Sequence, residues 1–148
     1  DNNQDEQLVV FSNFTSGLNK IDEWIKSKGK VTGMVTGQQS KELRKKYVDK
    51  FQKGQIRVLF CNIEASGVGL TLDRAGTVIF LDRHYNPAQN EQAEDRIVAT
   101  TEGSNNNALI IDLVCKDTID YKIIDIVKHK KSVTEVVNSY KNLKEWLK

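Results

Sequence analysis

Short apolar runs bounded by polar residues alternate along this chain with stretches whose apolar positions recur every three to four residues. Residues 8–11, 58–61 and 77–81 show no polar alternation, the pattern of strands buried on both faces. Residues 108–114 read as a further strand of this kind, and residues 31–35 as one interrupted by Gly33. Leu18, Ile21, Trp24 and Ile25 lie at helical spacing, with Thr15 or Ser16 to cap the start and Gly29 to end the helix in the left-handed conformation. Ser40 opens the next helix, with Leu43, Tyr47, Val48 and Phe51 on one face and Gly54 beyond its end. Pro87 suits the first turn of a helix over residues 87–98. Ile119, Ile123, Ile126 and Val127 predict a helix begun at Asp117 or Thr118, and Val136, Val137, Tyr140, Leu143 and Leu147 predict another over residues 133–147. Strands alternating with helices imply an α/β fold whose parallel sheet is covered on both sides.

With 148 residues, the chain has the size of one domain. The 39% hydrophobic and 28% charged residues, with a single proline, exclude collagen-like, low-complexity and disulfide-scaffold classes. No apolar run approaches the ~20 residues of a membrane span, so no membrane partner is expected. Cys61 and Cys115 each sit in an apolar run and are expected to be buried thiols in a reducing compartment. Residues 1–7 are polar, carry neither an initiator methionine nor a signal-peptide pattern, and read as a linker from a longer protein. Net charge is only +2, yet residues 41–57 hold seven basic and two acidic side chains, a local +5. Such a helix face either tracks phosphates or is simply solvated, and the same alternatives hold for Lys128, Lys130 and Lys131.

In an open parallel sheet, ligands gather beyond the carboxyl ends of the strands, which selects residues 12–16, 62–72 and 82–92 here. The middle loop contains Gly67 and Gly69, which either let an anion approach the backbone or serve only a tight turn. The chain has no Gly-x-x-x-x-Gly-Lys-Ser/Thr, so by itself it does not wrap a nucleoside triphosphate in the P-loop manner. Asp82 and Asp112 are single acids rather than a pair, so no metal site is expected and magnesium would be held by another domain. Gln89, Gln92, Asp95 and Arg96 fall on neighbouring helical positions; taken alone, Arg96 is equally a surface partner of Gln92 or Glu91, worth at most ~1 kcal/mol.

Several segments in order match one family pattern. Residues Val9-Val10-Phe11-Ser12-Asn13-Phe14 are similar to "IFSQF", and Gly37-Gln38-Gln39-Ser40 with Arg44 and Phe51 to "G-x-T-S, then R, then F". Residues 65–72 are similar to "A-G-G-x-G-L-N-L", residues 75–82 to "A-d-x-V-I-x-x-D", Tyr85-Asn86-Pro87 to "W-N-P", Gln92-Ala93-Glu94-Asp95-Arg96 to "Q-A-x-D-R" and Thr118-Ile119-Asp120 to "T-I-E". Together, over residues 8–131, they resemble the second RecA-like lobe of superfamily-two helicases, most closely that of Swi/Snf-like DNA-translocating ATPases.

This resemblance implies a RecA-like three-layer α/β/α fold with a mainly parallel sheet and C-terminal helices: linker 1–7, helicase C-terminal lobe 8–131 and brace helix 132–148. It implies an N-terminal RecA-like lobe that carries the P-loop and the magnesium-binding acids, with ATP in the cleft between the lobes. Arg96 would be the catalytic arginine delivered to the γ-phosphate, and Gly67, Gly69 and Gln92 would face the nucleotide with it. Ser12, Asn13, Thr36, Gly37, Asn62, Ala65 and Ser66 would contact the backbone of DNA, expected to be duplex. The chain departs from the pattern at Ala99, where a second arginine is usual, and Arg83 is a candidate substitute by its place in the chain. It departs again at Asn62-Ile63-Glu64, where "S-T-K" is usual. Two functions are expected to compete: the second motor lobe of an intracellular ATP-dependent DNA helicase or translocase, inactive as a fragment, or an ATPase-deficient nucleic-acid or protein interaction module. Its compartment would be nuclear in a eukaryote and cytoplasmic in a bacterium or virus.

Overall fold

Burial on both faces explains why three of the strands are unbroken apolar runs. In the computed structural model, which describes residues 6–67, 70–97 and 108–129, β1 (Gln7–Ser12), β3 (Val58–Asn62) and β4 (Ala75–Phe80) form the centre of a five-stranded sheet. β2 (Thr32–Val35) and β5 (Leu109–Asp112) are its edges, the order is β2-β3-β1-β4-β5, and every pairing is parallel. Alternate side chains go to opposite faces, as the period of two requires. Val9, Phe11, Leu59, Cys61, Val78 and Phe80 build the larger core, whereas Val10, Val58 and Phe60 build the smaller one on the other face. Phe11 and Phe80 stack with ring centroids 5.1 Å apart, adding about 0.5–1.5 kcal/mol to their burial.

Helix α1 (Thr15–Ser27) covers the smaller core through Leu18, Ile21 and Ile25. Helix α2 (Lys41–Gln52) covers the larger one through Val48 and Phe51, and α3 (Pro87–Asp95) reaches the same core through Ala93, with Ile97 just beyond its end. Helix α4 (Asp120–Lys128) lies beside α3 and buries Ile126. The result is the expected three-layer α/β/α arrangement. No described helix is long and apolar enough to cross a membrane. The brace helix expected over residues 132–148 lies outside the described residues, as do residues 1–5.

Helix ends follow local chemistry. The Ser40 side chain caps α2 by accepting from the Leu43 N–H at 3.2 Å. At the same terminus, the Glu42 carboxyl is held below its ordinary pKa by a backbone hydrogen bond, then by the Ser40 side chain. Gly29 and Gly54 take φ of +74° and +73° just past α1 and α2. Gly33 answers a different need, because a Cβ there would stand 2.8 Å from Ile56 Cδ1 and 3.0 Å from Tyr47 Cδ1. Ile56, Leu59 of β3 and Tyr47 of α2 together fill the space that a side chain at this position would need.

Several expectations are corrected. β1 begins at Gln7, whose amide is buried and donates to Phe51 O at 2.6 Å and Ile56 O at 2.8 Å. Thr15 and Ser16 lie within α1, whose N-cap is Phe14 without a side-chain bond. Trp24 is 63% exposed with the Lys28 ammonium 5.7 Å from its ring, because the buried stripe of α1 instead includes Asp22, which accepts from Thr32 Oγ1. β5 is an edge strand with Leu109 and Ile110 exposed, rather than a strand covered on both faces. Cys61 is fully buried, which raises its pKa by desolvation, but Cys115 is exposed because the strand ends at Asp112 and the chain turns. Asp117 takes φ of +60° in that turn, and Thr118 Oγ1 accepts from the Asp120 N–H at 3.2 Å.

Candidate nucleotide and nucleic-acid interface

The chain leaves β1 through α1 on one face of the sheet and leaves the neighbouring β4 through α3 on the other. Diverging connections between adjacent parallel strands open a crevice at their carboxyl ends. At that point sits Asp82. Its carboxylate accepts from Ser12 Oγ, from the Asn13 N–H at 2.8 Å and from Asn13 Nδ2 at 2.6 Å. Asn62, at the end of β3, donates through Nδ2 to Asn13 O at 2.8 Å and accepts the Glu64 N–H at 3.1 Å. The ends of β3, β1 and β4 are thus stitched together by side chains. Ser12 is 1% exposed and Asn62 9%, and these bonds occupy both side chains.

The candidate nucleic-acid residues form a row across the sheet. β2 pairs with β3 through Val35 and Cys61, so Thr36 lies beside Asn62, and Asn62 lies beside Ser12. Adjacent strands stand about 4.8 Å apart, which sets the spacing of the row. Thr36 is buried, its N–H donating to Gln39 Oε1 at 3.1 Å, and Gly37 is exposed. Ala65, which is buried, and Ser66 belong to a 3-10 turn over Glu64–Gly67 that follows β3. The Glu64 side chain is 75% exposed, with Oε1 4.0 Å from His84 Nε2, so an acid projects beside the row.

The candidate nucleotide residues gather on α3 and the turn it packs against. Asn86 caps α3 by accepting from the Ala88 N–H at 3.1 Å, and Pro87 occupies the first turn. Asn90, 1% exposed, accepts from the His84 N–H at 2.9 Å and donates to His84 O at 2.6 Å, fixing the loop that feeds the helix. With Asn90, Ala93 and Ile97 turned inward, Gln92 and Arg96 share the outer side, four residues apart. Gln92 is exposed; Arg96, at the C-cap, is partly exposed rather than sealed in the core. The Leu72 N–H donates to Arg96 O at 2.7 Å, and α3 packs on the 3-10 turn that contains Gly67, so the turn and the helix end are one assembly. Gly69 and Ala99 lie outside the described residues.

Arg83 does not occupy the place of a substitute arginine. Its side chain is 5% exposed, with Nε 2.5 Å from Asp112 Oδ1, Nη1 bonded to Glu94 and the guanidinium 3.6 Å from the centroid of the Phe80 ring. Sequence reasoning missed this cluster, the Asp82 hub and Asn90. Asp82 carried a signal as the acid closing "V-I-x-x-D", whereas nothing in the sequence distinguished Asn90. The basic face of α2 borders a groove of about 380 Å³ lined by Lys41, Arg44 and Lys45 together with Val48 and Leu70. Among the described residues, no three His, Cys, Asp or Glu side chains converge as a metal site.

Comparison with known proteins agrees with this geometry. Residues 1–99 match the family described as the helicase conserved C-terminal domain. The chain is 33% identical over 121 residues to transcription termination factor 2 of Drosophila melanogaster, covering 80% of this chain and 11% of that protein. It is 30% identical over 141 residues to the DNA repair protein RAD5 of Debaryomyces hansenii, covering 90% of this chain and 12% of that one. The crystal structure of the C-terminal part of the Fun30 ATPase domain matches with a TM-score of 0.73 and 28% identity, covering 87% of this chain and 41% of that chain. The chain therefore spans about one ninth of the curated relatives. A parallel RecA-like sheet, the ordered motifs at its carboxyl end and these matches lead to one assignment: the chain belongs to the helicase conserved C-terminal domain family, in its Swi/Snf-like branch.

Proposed function

We propose that this chain is the second motor lobe of an ATP-dependent DNA helicase or translocase, completing the ATP site at the cleft with an N-terminal RecA-like lobe. The observation that carries this reading is the outer side of α3, where Gln92 and Arg96 stand together while Ala93 and Ile97 anchor the helix in the core. ATP supplies the transferable phosphoryl group, and Mg is held by acids of the other lobe. Arg96 places its guanidinium against charge that builds on the γ-phosphate; arginines in this role are worth about 10³ to 10⁵ in rate. Gln92, with the backbone at Gly67 and Gly69, orients the nucleotide. The exposed Gly37, the partly exposed Asn13, and Ser66 hold register on the duplex DNA backbone through amide and backbone N–H groups, without reading sequence, while the buried Ser12, Thr36, Asn62 and Ala65 beneath them fix the strand ends that carry the grip. Opening and closing of the cleft then moves one grip relative to the other. The lobe alone, lacking the P-loop, does not hydrolyse ATP.

The test is single-turnover ATP hydrolysis by the intact protein carrying Arg96→Ala, with duplex DNA present. A rate reduced about 10³-fold or more is expected, and a wild-type rate removes Arg96 from its role. A second reading, an interaction module that keeps the fold without hydrolysis, is favoured by the exposed acid at Glu64 and by Ala99. Duplex binding with no ATP turnover in the intact protein would establish it.

A further inference from the structure

Among the described residues, Arg83 is the most deeply buried cation, and it joins three elements. Its Nε meets Asp112 at the end of β5, its Nη1 meets Glu94 on α3, and its guanidinium lies over the Phe80 ring at the end of β4. The two carboxylates are 28% and 33% exposed, so the pairs form at the rim of the sheet with the cation inside and the acids outside. A rigid guanidinium fork fixes direction as well as distance, which a flexible ammonium does not.

Helical geometry gives that clamp a consequence. Successive residues on a helix are about 100° apart, so Glu94 lies about 200° from both Gln92 and Arg96. Holding Glu94 against the sheet rim turns both of those residues to the far side. Without the clamp, the last turn of α3 would still be anchored by Ala93, Ile97 and the Leu72 N–H bond to Arg96 O, with no side-chain bond from Arg83 left to fix its rotation about them. Asp82, the neighbouring residue, holds the Ser12–Asn13 corner through separate bonds, so the two duties are divided between consecutive side chains.

We propose that Arg83 is the positioning residue of the ATP-facing side of α3, clamping Glu94 so that Arg96 points to the nucleotide; this rests on the role given to Arg96 above. The residue acts through Arg96 and touches neither ATP nor DNA.

The experiment is a double-mutant cycle on the intact protein, read by single-turnover ATP hydrolysis with saturating duplex DNA. A displacement near 1 Å at a catalytic group costs up to about 10²-fold, so Arg83→Gln should slow hydrolysis about 10- to 100-fold. The KM for ATP and the duplex affinity should stay within about threefold, because Arg83 contacts neither ligand and the Asp82 bonds remain. In an Arg96→Ala background, adding Arg83→Gln should cost no more than about twofold, as residues acting through one group are not additive. Glu94→Gln, which keeps Asp112 as a partner and nearly keeps the shape, should slow hydrolysis in the same direction and carries the test if Arg83→Gln fails to fold.

Full multiplicative loss in the Arg96→Ala background overturns the positioning role while leaving Arg96 in place, and so does a wild-type rate in Arg83→Gln. A wild-type rate in Arg96→Ala overturns both inferences. So does an intact protein without DNA-stimulated hydrolysis.

Discussion

Replacing Asp82 by alanine tests whether side-chain bonds or backbone pairing hold the carboxyl end of the sheet. The carboxylate accepts three hydrogen bonds, from the Ser12 hydroxyl, the Asn13 backbone and the Asn13 amide. Bonds to a charged acceptor are worth about 1.5–3 kcal/mol each, a sum near 4.5–9 kcal/mol if all were independent and dry. They are neither. Asn13 is partly exposed and regains water when its partner is removed, whereas Ser12 is 1% exposed and is left to find another acceptor. The expected loss is therefore about 2–4 kcal/mol for Asp82→Ala and about 1–2 kcal/mol for Asp82→Asn, which keeps a carbonyl acceptor. Urea denaturation followed by circular dichroism measures both, with Glu64→Gln on the exposed neighbouring turn as a control expected within about 0.5 kcal/mol of wild type. A loss below about 0.5 kcal/mol for Asp82→Ala would refute the reasoning, since the hub would then be a consequence of the fold and not a support of it.

Gly33→Ala forces a methyl to 2.8 Å from Ile56 Cδ1 and should destabilise the chain by about 1–3 kcal/mol in the same denaturation assay; an unchanged midpoint would show that the Ile56, Leu59 and Tyr47 side chains give way without cost. Cys115 is exposed and Cys61 is buried with its thiolate disfavoured, so an aromatic disulfide reagent should label one thiol in the native chain and two after denaturation. Two equally fast native thiols would contradict the burial of β3. Duplex binding should weaken steeply between about 50 and 200 mM salt if the basic face of α2, with Lys41, Arg44 and Lys45, grips phosphates, and a salt-independent affinity would argue against that surface.

The central strands were legible because a strand covered on both faces needs an unbroken apolar run, and residues 8–11, 58–61 and 77–81 supply one. The same reasoning overestimated β5, since an apolar run says that a strand is compatible with burial but not which neighbours cover it. Trp24 shows the corresponding limit for helices. Spacing of three and four locates a stripe, but its width depends on the sheet below, which takes Leu18 and Asp22 and leaves the indole outside. Ends of helices were read well where one residue acts locally, as at Ser40, Gly54 and Pro87. The Ser12–Asp82 and Arg83–Asp112 contacts join residues 70 and 29 positions apart, so they exist only once the strand order is known. Pattern matching placed the candidate loops at the same end of the sheet; it did not reveal that the acids and amides there bind one another.

The central position of β1 also bears on synthesis. Its partners are β3 and β4, with Gln7 beside Ala75, so one flank of the first strand waits for chain made 68 residues later. At about 5–20 residues per second, that interval is roughly 3–14 s on the ribosome. During it Leu-Val-Val-Phe has no native neighbour on that side, which leaves an apolar strand edge open to pairing with other chains until β4 arrives.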